Sequence, residues 1–545
     1  MAPWPQSYDP LHSALLSTLA AAIPIVVLLG CIASGKVKAH HAALIALLVA
    51  FLTVTLVVGM PWTAAVAAMG MGAAYGLLPI GWIVLNILFL YQLTKEEGAF
   101  DTMQASVASI STDRRVQLVL IAFALGAFFE GTSGFGTPVA ITGALLIGIG
   151  FSPLQASTLS LIANTAPVAF GAMGTPIFAL QGVTGIDANA LSKMVGRQLP
   201  VFSLIVPFWL IGAYDGMRGI RAVWPILLVA GISFAVPQFL MSNFVGPSLV
   251  DVVAGVCCIV CVAVFARVFP SGARSLDSPA SHEGTSPDLP TSRPHLRPWM
   301  PWIILCVLVF VWGLAPTKAW LNGIYAPQIH VPWLDGVVQK MPPVVAKPQV
   351  EAAVYAFNIL SATGTSILVA ALIGGAVLGF SAKRMLQVYG RTIEIAWRSI
   401  LTIVAMLSIG YLTRYSGLDA ILGLAFARTG VLYPLFGTLL GWLGVALTGS
   451  DTSSNVLFGS LQKITAEQLG LSPVLMAAAN SSGGVMGKMI DAQSIVVAST
   501  ATRWYGHEGK ILRVVFAHSI VLAALVGVLV LLQAYVWPFK LMVVR

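Results

Sequence analysis

Two carboxylates stand in surroundings that are almost wholly apolar. Glu130 lies in Glu130-Gly131-Thr132-Ser133-Gly134-Phe135-Gly136-Thr137-Pro138, and Asp451 in Thr448-Gly449-Ser450-Asp451-Thr452-Ser453-Ser454-Asn455. Charge at membrane depth is costly and is usually retained for function, so each carboxyl is a candidate proton carrier. With nearby backbone and hydroxyl oxygens the same group would instead make a hard-cation site. Two further polar interruptions are Asn164-Thr165-Ala166-Pro167 with Gly171 to Pro176, and Asn480-Ser481-Ser482-Gly483-Gly484 with Lys488 and Asp491. A half-helix that starts at such an interruption leaves backbone N–H groups free and carries positive partial charge, which suits a carboxylate ligand. Neutral hydroxyls and amides can then hold a small hydroxylated anion without trapping it.

On this reading the residues that contact substrate are Gly131, Thr132, Ser133, Gly134, Gly136, Thr137, Asn164, Thr165, Gly174 and Thr175 in the first half of the chain. In the second half they are Ser450, Thr452, Ser453, Ser454, Asn455, Asn480, Ser481, Ser482 and Gly483, with Glu130 and Asp451 assigned to proton coupling. Plainer roles compete. Gly, Ser and Thr are common where membrane helices pack, Asp451 would serve as the N-cap of the helix that follows it, and Lys488 and Asp491 have the i,i+3 spacing of an ion pair.

The elements that position these groups must be membrane helices. The chain of 545 residues is 58% hydrophobic and only 9% charged, with a mean hydropathy of +0.89, whereas soluble domains carry about 25% charged residues. The fold class is therefore an all-α polytopic membrane protein, with about 12–14 transmembrane segments expected. The stretch from Val116 to Phe151 would reach roughly 54 Å as one helix, against a hydrocarbon core of about 30 Å, and its middle is rich in glycine. It reads as two half-helices meeting at an unwound turn, which must line a cavity or be buried in protein. The first apolar run, Leu15 to Ile32, reads as a retained span. The net charge of +9 resides in short loops, as membrane topology requires, and calls for no nucleic-acid partner. Alternation of the basic loops, Lys36 and Lys38 with Lys95, Arg114 and Arg115, places them in the cytoplasm and the N-terminus outside. The five cysteines read as buried free thiols, and the histidines form no ligand constellation, so neither metal nor cofactor is expected.

Ser271 to Pro298 is polar and proline-rich, a flexible linker by composition. It divides the chain into an N-terminal transmembrane half (1–266), a linker (267–299) and a C-terminal transmembrane half (300–545). The halves echo each other: Leu93-Thr94-Lys95 with Gly98 recurs as Leu412-Thr413-Arg414 with Gly417, Ser152-Pro153 as Ser472-Pro473, and Gly171-Ala172-Met173-Gly174 as Gly484-Val485-Met486-Gly487. Two duplicated, inverted halves with broken or re-entrant helices are the pattern of a secondary transporter that binds substrate between the repeats.

At these residues the chain resembles the L-lactate permease family of bacterial transporters. The likeness is carried by Phe129-Glu130-Gly131 with Gly134-Phe135-Gly136, by Asn164-Thr165-Ala166-Pro167-Val168-Ala169-Phe170-Gly171-Ala172-Met173-Gly174, by Met194-Val195-Gly196-Arg197-Gln198-Leu199-Pro200, by Met341-Pro342-Pro343-Val344-Val345, by Gly441-Trp442-Leu443-Gly444 with Leu447 to Asn455, and by Gly483-Gly484-Val485 with Gly487-Lys488-Met489-Ile490. It runs nearly end to end. The resemblance implies uptake of L-lactate across the bacterial inner membrane by proton symport, with D-lactate and glycolate as related substrates. It also implies kinship with ion transporters in which a transport domain built of re-entrant hairpins moves against a scaffold; a homodimer is compatible with that kinship. Thr132, Ser133 and Thr137 stand where small apolar residues are expected, so the pocket should be more polar than the family pattern. Two other functions compete: sodium-coupled carboxylate transport, and an intramembrane aspartyl protease using Asp215 with Asp451. The protease is disfavoured because Asp215 sits beside Arg218 and Arg221 at a span boundary and Ser450 replaces the glycine such a site requires.

Overall fold

The computed structural model describes all residues except 1–2, 34–36, 100–101, 103–109, 133, 135–136, 269–296, 505–506 and 545. The linker expected at 267–299 therefore falls almost wholly outside the described residues, as do Ser133 and Gly136. The fold is nearly all helical. Nine helices among the described residues are long and apolar enough to cross a membrane, or eleven when two bent pairs are each counted as a span. Ala188–Phe244, 57 residues long, would reach about 85 Å if straight. It is interrupted at Gly216, whose φ of 62° and ψ of −159° depart from helical geometry.

Helix contacts group the chain into two bodies, and each of the two apolar cores draws residues from both. In one body, Ala14–Ala33, Ala39–Leu52, Trp62–Tyr75 and Trp82–Glu96 pack with Met300–Gly313, Thr363–Leu378 and Ala382–Ser416. The apolar stretch Trp62–Glu96 is broken at Leu78, just before Pro79. The other body holds the polar interruptions. Its first hairpin is Arg114–Thr132 and Thr137–Gly148, the two half-helices expected of the Val116–Phe151 stretch. Its second is Tyr433–Thr448 and Asp451–Gln468.

Each hairpin is followed by a Ser-Pro-started helix that runs into a break. Pro153–Ala163 is capped by the Ser152–Gln155 capping box and bends by 62° into the next helix, Gly171–Thr184. Pro473–Gly487 is capped by Ser472 and breaks before Ala492–Ala501, which Asp491 caps. A Ser-Pro-started helix and a break thus follow each of the two hairpins. One matched string behaves differently in each half: Ala172, Met173 and Gly174 are left-handed, with φ of 44°, 59° and 79°, whereas Val485, Met486 and Gly487 are helical. Left-handed backbone costs a non-glycine residue about 1–2 kcal/mol, so the first site holds its unwound shape against a local preference.

The segment after Ala315–Ile324 folds into short strands. Trp4–Pro5 pairs in parallel with Val338–Lys340, which pairs antiparallel with Gln349–Val350, and Gln328–His330 pairs with Val354–Ala356. The Ala353 amide and the His330 ring hold the Asp335 carboxyl below the usual carboxylate range. Glu351 fastens this cap to the end of Ala382–Ser416 through Arg414, at 2.8 Å.

Candidate functional site

The second hairpin turns within two residues. Gly449, with φ of 72°, ends the first helix in the left-handed conformation that suits glycine, and the Ser450 hydroxyl caps the next by accepting from the Ser453 N–H at 3.3 Å. Ser450, not Asp451, is therefore the N-cap. Asp451 occupies the first helical position and turns inward: its Oδ2 accepts from the Ser481 hydroxyl at 2.5 Å and the Asn455 amide at 3.2 Å, while Oδ1 has no hydrogen-bond partner among the described residues. Asn455 also donates to the Pro176 carbonyl at 3.2 Å, joining the second hairpin to the first broken pair. A bare carboxylate oxygen at a helix start, held by neutral donors, is available to a proton or a ligand.

Glu130 lies 4% exposed at the end of the first hairpin's leading helix. A Cβ on Gly171 would stand 2.7 Å from its Oε1, so glycine is required there for the carboxylate to lie against the unwound backbone. Asn164 faces Glu130 from the break, and Glu130 Oε2 has no partner in hydrogen-bond geometry among the described residues.

Both carboxylates line one cavity of ≈ 180 Å³. Gly134, Gly171, Ala172, Thr175 and Pro176 come to it from the first half, and Thr448 to Ser453 with Lys488 and Gln493 from the second. The other body closes it with His40, Arg398, Ser399, Thr402 and Ile403. Of the residues the sequence singled out, Glu130, Gly134, Thr175, Ser450, Asp451, Thr452, Ser453 and Lys488 therefore reach the cavity. The others described do not line it. Thr132, Asn164, Thr165, Ser454, Asn455, Asn480, Ser481 and Ser482 are buried behind or beside it, and Gly131, Gly174 and Gly483 sit at close backbone contacts. Asn480 donates to Asn455 at 3.0 Å and accepts from Gln462, and Ser482 donates to Gln198. These are the packing roles that small polar residues take between membrane helices. The side chain of Thr137 lies outside the described residues.

His40, Arg398, Ser399 and Thr402 carry no local sequence pattern that marks them, because they come from two helices of the opposite body, Ala39–Leu52 and Ala382–Ser416. Sequence reasoning missed Asp251, a carboxylate inside an apolar run and legible by the reasoning that found Glu130.

Lys488 and Asp491 form the expected ion pair at 3.5 Å, both buried. Lys488 Nζ also donates to the Gly449 carbonyl at 2.6 Å, placing a cation at the negative end of Tyr433–Thr448. Lys488→Met leaves Asp491 buried and unpaired, a loss of about 3–5 kcal/mol. Because asparagine also caps helices, Lys488→Met/Asp491→Asn should recover most of that stability. Thermal denaturation in detergent measures both; equal melting temperatures for wild type and Lys488→Met would show that the pair carries no such weight.

Asp215, the other half of the protease alternative, is 40% exposed and lies 3.6 Å from Arg115, far from the enclosed bonding pattern of Asp451. Arg197 is likewise structural, donating to Asn243 and the Met542 carbonyl.

The family model described as L-lactate permease matches residues 17–537. The chain belongs to the L-lactate permease family. Among relatives of this family, it is 45% identical to the glycolate permease GlcA of Escherichia coli strain K12, over 98% of this chain and 99% of that one. It is 43% identical to the L-lactate permease of the same strain, over 98% of each chain, and 43% identical to the L-lactate permease of Bacillus subtilis, over 99% of this chain and 100% of the relative. Like the permeases of its family it is a multi-pass membrane transporter and not an enzyme.

Proposed function

We propose that this permease takes up L-lactate and related short 2-hydroxy monocarboxylates, D-lactate and glycolate among them, by proton symport across a bacterial inner membrane. The names of its relatives support the substrate class. The observation that carries the coupling is that Glu130 and Asp451, each with one oxygen lacking a hydrogen-bond partner, face a single small cavity. An anionic substrate entering beside two ionised carboxylates would meet uncompensated like charge in a low dielectric. Once the carboxyls are protonated, the same groups become hydrogen-bond donors to it. Substrate binding and proton binding therefore favour each other, and reciprocal linkage of that kind is what coupling means thermodynamically. The free N–H groups at the start of Asp451–Gln468, the Ser453 and Thr175 hydroxyls and, at the mouth, the Arg398 guanidinium provide for the carboxylate and hydroxyl of the substrate.

The test is uptake of labelled L-lactate into proteoliposomes under an imposed inward proton gradient. Accumulation that a protonophore abolishes and glycolate competes away is expected. Accumulation that persists with the protonophore and requires sodium at fixed pH would assign the coupling to sodium instead. Absence of uptake under either gradient would reject lactate as substrate.

A further inference from the structure

Asp251 has no part in the cavity, yet it is 1% exposed in the first turn of Val250–Val268 and neither of its carboxylate oxygens has a hydrogen-bond partner among the described residues. Such burial without a partner is expensive and calls for an explanation. Its position supplies one. A Cβ on Gly131 would stand 2.8 Å from the Asp251 Cβ, so Asp251 lies against the backbone of the residue that follows Glu130. Among the described residues, the charged group that faces Asp251 is Glu130; those facing Glu130 include Lys488 and Asp491.

A second cavity, of ≈ 410 Å³, lies beyond the break. Along Ala382–Ser416 the first cavity reaches Ile403 and the second takes Tyr411, eight residues or about 12 Å further. Along Gly171–Thr184 the first takes Thr175 and Pro176, the second Phe178 and Gln181. The second cavity is also lined by Val245 to Leu249, the segment that leads directly into Asp251. Pro247 presses on the unwound backbone, 2.8 Å from where a Gly174 Cβ would be. Glu130 thus faces one cavity, and Asp251 stands within a helical turn of residues that line the other.

We propose that Glu130 and Asp251 form a proton-sharing pair that passes the coupled proton between the two cavities. This rests on the symport reading above. One proton serves the pair: the O–H bond of one carboxylic acid breaks as an O–H bond forms on the other carboxylate, and the single negative charge moves the opposite way. With one proton shared, the pair carries a charge of −1 rather than −2, which removes the worst of the like-charge repulsion at this depth.

The test uses the full chain in proteoliposomes containing a pH-reporting dye, with labelled lactate flux and internal acidification followed together. For Asp251→Asn, proton influx per lactate transported should fall about ten-fold more than lactate exchange at equal concentrations on the two sides, and Asp251→Glu should restore the ratio. A proton-to-lactate ratio unchanged in Asp251→Asn would overturn the pair. So would loss of exchange in both variants, which would mark Asp251 as structural, or sodium-driven accumulation in the wild type that Asp251→Asn abolishes, which would make it a cation ligand. If the wild type moves lactate with no accompanying acidification and no sodium requirement, the symport reading itself fails, and that is seen before any variant is compared.

Discussion

Glu130→Gln/Asp451→Asn should lose all accumulation of lactate against its gradient, and its remaining downhill flux should no longer depend on pH. A difference of one pH unit across the membrane is worth about 1.4 kcal/mol, a ten-fold concentration ratio for a one-proton symporter. Without a proton-binding group in the cavity that free energy has no route to the substrate, so the ratio should collapse to about one. The amides are close in shape to the carboxyls they replace. Asn455 and Ser481 retain an acceptor at residue 451, so the local packing should survive and the effect should lie in coupling rather than in folding. Accumulation ratios at several imposed gradients measure it. A double variant that still concentrates lactate in proportion to the gradient would place the proton elsewhere.

Gly441→Val should prevent the protein from being recovered as a single species in detergent. Tyr433–Thr448 and Pro473–Gly487 cross with their backbones nearly touching: a side chain on Gly441 would collide with the Asn480 carbonyl, one on Gly483 with the Thr438 carbonyl, and one on Gly487 with the Trp442 carbonyl. Overpacking in a tight core costs about 1–3 kcal/mol even when side chains can shift, and here the obstacle is backbone. Asn480 also binds Asn455 and Gln462 of Asp451–Gln468, so displacing Pro473–Gly487 would disturb the support behind Asp451 as well. Gly30, in Ala14–Ala33, has nothing within 4 Å of its Cβ position, so Gly30→Val should behave as wild type. Size-exclusion profiles and melting temperatures compare the two; a monodisperse, stable Gly441→Val would contradict the close crossing.

Much of the site was legible because lipid removes alternatives. Glu130, Asp451 and the glycine-rich interruptions around them stand out in an apolar chain, since neither charge nor unwound backbone is tolerated at depth without a reason. The two hairpins follow from the same argument. The helix Asp451–Gln468 was harder to see: its Thr, Ser, Asn and Gln residues give no apolar run, and it is a buried helix only because Gly171–Thr184 and Pro473–Gly487 pack on it. The strands near Val338 were hidden because they are two or three residues long and pair with Trp4–Pro5, more than three hundred residues away.

Composition, run length and the placement of carboxylates and glycines determined, by themselves, that this chain is a polytopic helical membrane protein whose Val116–Phe151 stretch is interrupted near Glu130. These are local consequences of helix geometry and the cost of polarity in hydrocarbon. The interruption read at Asn480–Gly484 is instead continuous helix. Tertiary structure alone decided which of the polar residues face the cavity and which face a neighbouring helix, because Ser453 and Ser454 differ by one position and the helical rotation between them sends one to the cavity and the other to the Gly441 carbonyl. It also decided that Arg398 and His40 of the opposite body complete the cavity, and that Asp251 lies against the hairpin carrying Glu130. Those are contacts between segments far apart in the chain, set by how the two bodies pack.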